Sequence, residues 1–77
     1  MKEADVELAE RYATALQTIK ELTETCRFNE DDVEQAEGYV STLKDIQEQS
    51  KAYPSDQQIM NAKDHLKTLQ AIAARQS

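Results

Sequence analysis

Glycine and proline are almost absent: the 77 residues hold one of each. A β-rich chain needs turn residues about every 8–12 positions, so that fold class is excluded. The remaining composition is rich in Ala, Glu, Gln, Leu and Lys, which are strong helix formers, and an all-α fold follows. Cysteine also occurs once. No disulfide can close within the chain, and nothing in it requires an oxidising compartment. One histidine and one cysteine, His65 and Cys26, do not supply the three or four ligands of a zinc site. No run approaches the roughly 20 apolar residues of a membrane span. The opening MKEADVELAE carries acids where a signal peptide would carry an apolar stretch. A soluble, cytoplasmic protein without a membrane partner is the expectation.

Positive charge is short too. Nine Lys and Arg stand against 15 Asp and Glu, for a net charge of −6. Such a field repels nucleic-acid phosphates and anionic membranes, so nucleic acid is not an expected partner, whereas a protein with a basic surface is. Large apolar side chains are few. A chain of this length reads as a single domain, residues 1–77, with one thin core and marginal stability alone. An enclosed active-site cleft would consume much of that core. There is no phosphate-cradling glycine loop, no nucleophile elbow and no basic–aromatic interleaving. No catalytic residue, cofactor or metal ligand is expected, and the chain reads as a non-enzyme.

What is present is punctuation for three helices, over about 3–26, 30–51 and 56–75. Leu8, Tyr12, Ala15, Ile19, Leu22 and Cys26 recur at spacings of four and three, which puts them on one face of the first helix. Asn29 is a good N-cap for the second, because its side-chain oxygen accepts from a free backbone N–H. Phe28 and Val33 then stand at the two positions of a hydrophobic staple. Val33, Ala36, Val40 and Leu43 form the buried stripe, with Tyr39 and Ile46 along one edge. Pro54 cannot continue a helix and disfavours the α conformation at Tyr53. Ser55 then caps the third helix, with Gln58 at the capping-box spacing. Its stripe is Ile59, Ala62, Leu66, Leu69 and Ala73. Both connections are short, so neighbouring helices run antiparallel. The predicted fold is an antiparallel up-down-up three-helix bundle.

The stretch RFNEDDVEQAEGY places five carboxylates within eight positions and then the lone glycine. A calcium loop needs oxygen ligands at alternating positions and a glycine at the sixth. Counted from Asn29, the fifth position is Val33 and the sixth Glu34, so the pattern fails. Glu30, Asp31 and Asp32 instead fill a first turn, where the positive end of the helix dipole favours them. Residues 28–52 carry seven acids and two bases, for −5, which makes the second helix the acidic element. Much of that charge is expected to be offset by Lys20, Arg27, Lys67 and Arg75 on its neighbours. Glu3, Asp5, Glu7 and Glu10 form a second acidic run, read as a favourable helix start and a solvated surface.

Gly38 is the residue hardest to explain. A glycine inside a helix costs about 1 kcal/mol relative to alanine. On a wheel of about 100° per residue it falls roughly 150° from the middle of the buried stripe, on the side of Asp31, Glu34, Ser41, Thr42 and Asp45. Either it is a tolerated surface glycine, or it belongs to a flat strip of small residues against which a partner helix rests. The second reading makes Gly38, Tyr39 and Thr42 the central contacts, with Asp31, Glu34 and Asp45 as acidic flanks. Second apolar faces add a different option. Val6, Ala9 and Ala13 on the first helix, Met60, Ala71 and Ala74 on the third, and Tyr39, Ile46 and Tyr53 beside the second suit helix-in-groove binding or self-association if they are contiguous. The Cys26–His65 pair lacks a third, orienting group for nucleophilic catalysis. Cys26 is expected on the buried face, as a small apolar filler.

The segment YPSDQQIMNAKDHLKTLQ, with a helix before it, resembles the helical hairpin of type III secretion needle subunits. The resemblance rests on Pro54, Ser55 and the amphipathic helix that follows, and covers roughly half of the chain. The second turn proline of that family is missing, since Gln57 and Gln58 follow Asp56. Two functional expectations result. One is a non-enzymatic protein–protein interaction module, an adaptor or regulator that uses an exposed face of the acidic second helix. The alternative is a self-associating structural subunit or assembly chaperone of secretion or phage type.

Overall fold

The computed structural model describes residues 3–76. They form three helices, α1 (Glu3–Thr25), α2 (Glu30–Ser50) and α3 (Asp56–Gln76), and every pair of helices is in contact. The up-down-up three-helix arrangement expected from the short connections is the one observed. Each boundary falls within one residue of its expected position.

The helix starts follow from local chemistry. The Asn29 side chain accepts from the Asp32 N–H at 3.0 Å, and the Asp32 carboxylate accepts from the Asn29 N–H at 3.0 Å. This reciprocal pair is a capping box, which satisfies two otherwise orphaned donors at once. Phe28 and Val33 both pack, partly buried, against the core. At α3 the Ser55 N–H donates to Gln58 Oε1 at 2.9 Å, and the Gln58 N–H returns to Ser55 Oγ at 3.3 Å. The helix ends share another device. Cys26 and Lys51 take left-handed backbone conformations, with φ of 53° and 66°. Their N–H groups donate to Leu22 O at 3.1 Å and Gln47 O at 2.7 Å, closing the last carbonyls of α1 and α2 as a left-handed cap does.

That cap corrects one expectation. Cys26 is exposed, not buried. The seven-residue pattern carries it onto the core face only if the helix continues through it. The left-handed turn at Cys26 takes it off that face, and its thiol donates to Thr23 O at 3.4 Å.

Between the ends lies a single apolar seam. Tyr12, Ala15 and Ile19 of α1, Ala36, Val40, Leu43 and Ile46 of α2, and Ile59, Ala62 and Leu69 of α3 are all at most 7% exposed. Small and large residues alternate in it: one alanine from each helix (Ala15, Ala36, Ala62) sits among Ile19, Leu43, Ile46 and Leu69. Full burial of a side chain such as Leu43 contributes about 1.5–3 kcal/mol. Ile46, expected at the edge of the stripe, is in the core at 1% exposure. The α2–α3 connection closes one end of the seam. Pro54, joined to Tyr53 by a cis peptide bond, is fully buried. The Tyr53 ring meets Tyr12 edge-on, with centroids 4.8 Å apart and planes at 68°.

The bundle is a rod of 45 × 19 × 16 Å. Its radius of gyration of 13.0 Å exceeds the roughly 11.5 Å of a rounder domain of this length.

Candidate functional site

The outer face of α2 forms a crest with an open groove on each side. Asp31, Gly38 and Asp45 recur every seven residues and are all exposed. This spacing turns each about 20° from the last, so all three lie within about 40° of one another on the helix. Gly38 has no packing role inside the bundle: a methyl group added there would find no neighbour within 4 Å beyond its own turn. Thr42 sits one turn on. Its hydroxyl donates to Gly38 O at 3.0 Å, so its proton is held by the helix itself and its methyl group is left to line the surface.

On one side the crest falls into a groove between α1 and α2. Tyr39 and Thr42 line it from α2, and Glu7, Glu10, Arg11, Thr14 and Ala15 line it from α1. Tyr39 is half-buried and packs against the core. On the other side α2 and α3 form a groove lined by Glu30, Asp31, Val33, Glu34, Glu37, Gln70 and Ala73. Gln70 donates to Glu37 across it at 3.5 Å. The cations expected to offset this acidity do not line the groove. Asp32, by contrast, is held in the capping box, so one of the five clustered carboxylates has a structural duty.

The six residues picked from the sequence therefore lie on one helix but not in one depression. Gly38 and Asp45 are on the crest, Tyr39 and Thr42 lean toward α1, and Glu34 leans toward α3, with Asp31 where the crest meets that second groove. The contribution of α1 was not foreseen. Glu7 and Glu10 read as solvated helix-start acids, because nothing in a single helix's periodicity says which neighbour faces its polar edge.

The second apolar faces separate in the same way. Val6, Tyr53 and Met60 are exposed by 40%, 43% and 56%. Val6 lies among Glu3, Glu7 and Glu10. Met60 lies in a lower α2–α3 groove with Lys44, Gln47, Glu48, Asp56, Ile59 and Lys63. The two share no lining residue. Tyr53 packs on Tyr12, at the end of the bundle.

Groups with reactive chemistry are dispersed. Cys26 is on the α1–α2 connection. His65 is half-buried on α3, with its carbonyl 3.3 Å from the Thr23 hydroxyl. That hydroxyl also donates to Ile19 O at 2.8 Å. Among the described residues, no group of three or more His, Cys, Asp or Glu side chains is placed to hold a metal ion. Nor, among them, is any helix long and apolar enough to cross a membrane. The Tyr12 hydroxyl is buried without a hydrogen-bond partner. Burial, and then the charge of Tyr53, push its pKa above the ordinary tyrosine value.

Compared with known proteins, the chain matches no family model, no curated protein and no solved structure.

Proposed function

We propose that this protein is a non-enzymatic interaction module that binds another protein through the crest of α2. The observation that carries this reading is Gly38. It sits mid-helix at a cost of about 1 kcal/mol relative to alanine, and the space around it is open, so the bundle itself gains nothing from the missing side chain. A partner whose backbone comes close would. Thr42 and Tyr39 extend the same surface, and Asp31, Glu34 and Asp45 give it a negative field. Charges so placed raise the on-rate and select the partner more than they raise affinity.

The test is a photo-crosslinking residue placed at Asp45 on the crest, with Gln17 on α1 as the control position. In cells of the source organism, an adduct of one defined mass from Asp45 and none from Gln17 is expected. Equal labelling at both positions, or none at Asp45, would sink the reading. The second reading, a self-associating subunit, would use the exposed Val6 and Met60, which lie in separate depressions. Light scattering behind size exclusion separates the two. A molar mass of one chain across about a hundredfold range of concentration fits the module, and a mass that climbs fits the subunit.

A further inference from the structure

The outer face of α3 carries a second seam. Gln57, Met60, Asp64, Lys67, Ala71 and Ala74 follow one another at spacings of three, four, three, four and three, and all six are exposed. This alternation is that of a coiled-coil face. On a helical wheel it falls opposite the buried Ile59, Ala62 and Leu69 of the same helix, so it points away from the core. It runs for about 27 Å at 1.5 Å per residue. Met60, at its heart, is 56% exposed, more than Val6 or Tyr53.

The order of these residues makes the face its own complement. When two copies of α3 run antiparallel, a step toward the C-terminus of one is a step toward the N-terminus of the other. Set Asp64 against Lys67 of the second copy, and Lys67 meets Asp64 of the second copy by symmetry. The same register seats Met60 on Ala71 and Gln57 on Ala74, again twice each. Each layer thus joins an acid to a base or a long side chain to a short one. The nearest flanking pairs, Lys63 with Gln70 and Asn61 with Thr68, are not like-charged. A parallel register would instead oppose Asp64 to Asp64 and Lys67 to Lys67. Net charge does not oppose this contact either. Residues 53–77 carry three bases and two acids, for +1, so the excess of acids lies in the chain that forms α1 and α2.

We propose that α3 is the contact surface of a closed antiparallel dimer whose occupant is a second copy of this chain. Its twofold axis crosses α3 midway between Asp64 and Lys67, and the interface is isologous. One helix face buries little area, so the pair belongs to the weak, small class of interfaces. The crest of α2 takes no part. The inference therefore goes beyond the interaction reading and is compatible with it: a mass that levels at two chains is the interaction module as a pair, whereas a structural subunit keeps growing.

The test is molar mass by light scattering and sedimentation equilibrium on the full chain, up to about 1 mM, with helicity checked by circular dichroism. The wild-type mass should rise from one chain and level at two. Asp64→Lys alone and Lys67→Asp alone each oppose like charges in both central layers, and each should weaken association by about tenfold or more. The two variants mixed in equal amounts should regain the two-chain mass, because a lysine again faces an aspartate in both layers. The double variant, Asp64→Lys with Lys67→Asp, should pair with itself, which a parallel register forbids. A wild-type mass of one chain at every concentration would overturn the proposal, as would a mixture that stays unpaired. Association that the charge changes leave intact, or a mass that climbs past two chains, would overturn it too, and would move self-association to another face. Crosslinking at Asp45 tests the crest separately, so either reading can fail while the other stands.

Discussion

The two faces of α2 obey different rules. Its inner face, Ala36, Val40, Leu43 and Ile46, is at most 7% exposed, and every residue there is explained by burial against α1 and α3. Its outer face runs through Gly38, which touches nothing beyond its own helix and weakens the helix that carries it. In a domain of 77 residues, where stability is marginal, a tolerated weakness on one face of a helix whose other face is tightly packed is informative. Stability resides in the seam. The proposed interaction uses the surface opposite it.

The largest effect that separates the faces is expected from Leu43→Ala. Truncating a leucine with 0% exposure costs about 2–5 kcal/mol, comparable with the whole stability of a small domain. Urea unfolding followed by helical circular dichroism should show the transition shifted to much lower denaturant or lost. A shift no larger than that of a surface substitution would mean that the seam is not the stabilising face. Asn29→Ala comes next. It breaks the box with Asp32 and should lower stability by about 1 kcal/mol without weakening the proposed partner binding, which separates the capping duty of Asp32 from the proposed contact at Asp31.

Tyr12→Phe sharpens the comparison from inside the core. It removes a buried hydroxyl that has no partner, so a gain of about 1 kcal/mol is expected. Its pH dependence has a definite sign. The folded pKa is raised above the unfolded one, first by burial and then by Tyr53. The stability tied to the protonated phenol is therefore complete below about pH 10, the ordinary tyrosine pKa. It is lost as pH rises through the folded value. Unfolding midpoints measured from pH 8 to 11.5 should fall more steeply at the alkaline end for the wild-type chain than for the phenylalanine variant. Parallel curves would show that Tyr12 does not titrate differently in the two states. The smallest effect belongs to Gly38→Ala, a gain of just under about 1 kcal/mol, read as a higher thermal midpoint. The interaction reading requires that this more stable variant bind its partner less well. Undiminished binding would leave Gly38 without a role.

Much of the architecture was legible because its signals are local. Asn29 and Ser55 compete with the backbone for the N–H groups just ahead of them, and Pro54 removes a donor, so three residues locate two boundaries whatever the rest of the chain does. The reciprocal half of the first box, Asp32 to the Asn29 N–H, was less visible, since Asp32 also suits a helix start through its charge alone. Cys26 was misplaced because spacing cannot report a left-handed residue that ends the helix one position early. Gly38, Thr42 and Tyr39 could be picked out because a glycine inside a helix is an anomaly in sequence. Glu7 and Glu10 could not, because acids in a first turn are ordinary.

The sequence by itself determined three helices, their caps, their antiparallel order, and an acidic middle helix with an unexplained glycine on its polar side. These depend on contacts among residues at most four apart, and on connections too short to allow another order. Only the tertiary structure decided that Ile46 goes inside while Met60 stays out, that Tyr12 meets Tyr53 over a buried Pro54, and that Glu7 and Glu10 stand across a groove from Tyr39 and Thr42. A helical wheel gives each side chain an angle about its own axis. The tilt and register of the neighbouring axes settle what that angle faces, and those follow from how the alanines and large aliphatic side chains of the seam fit together.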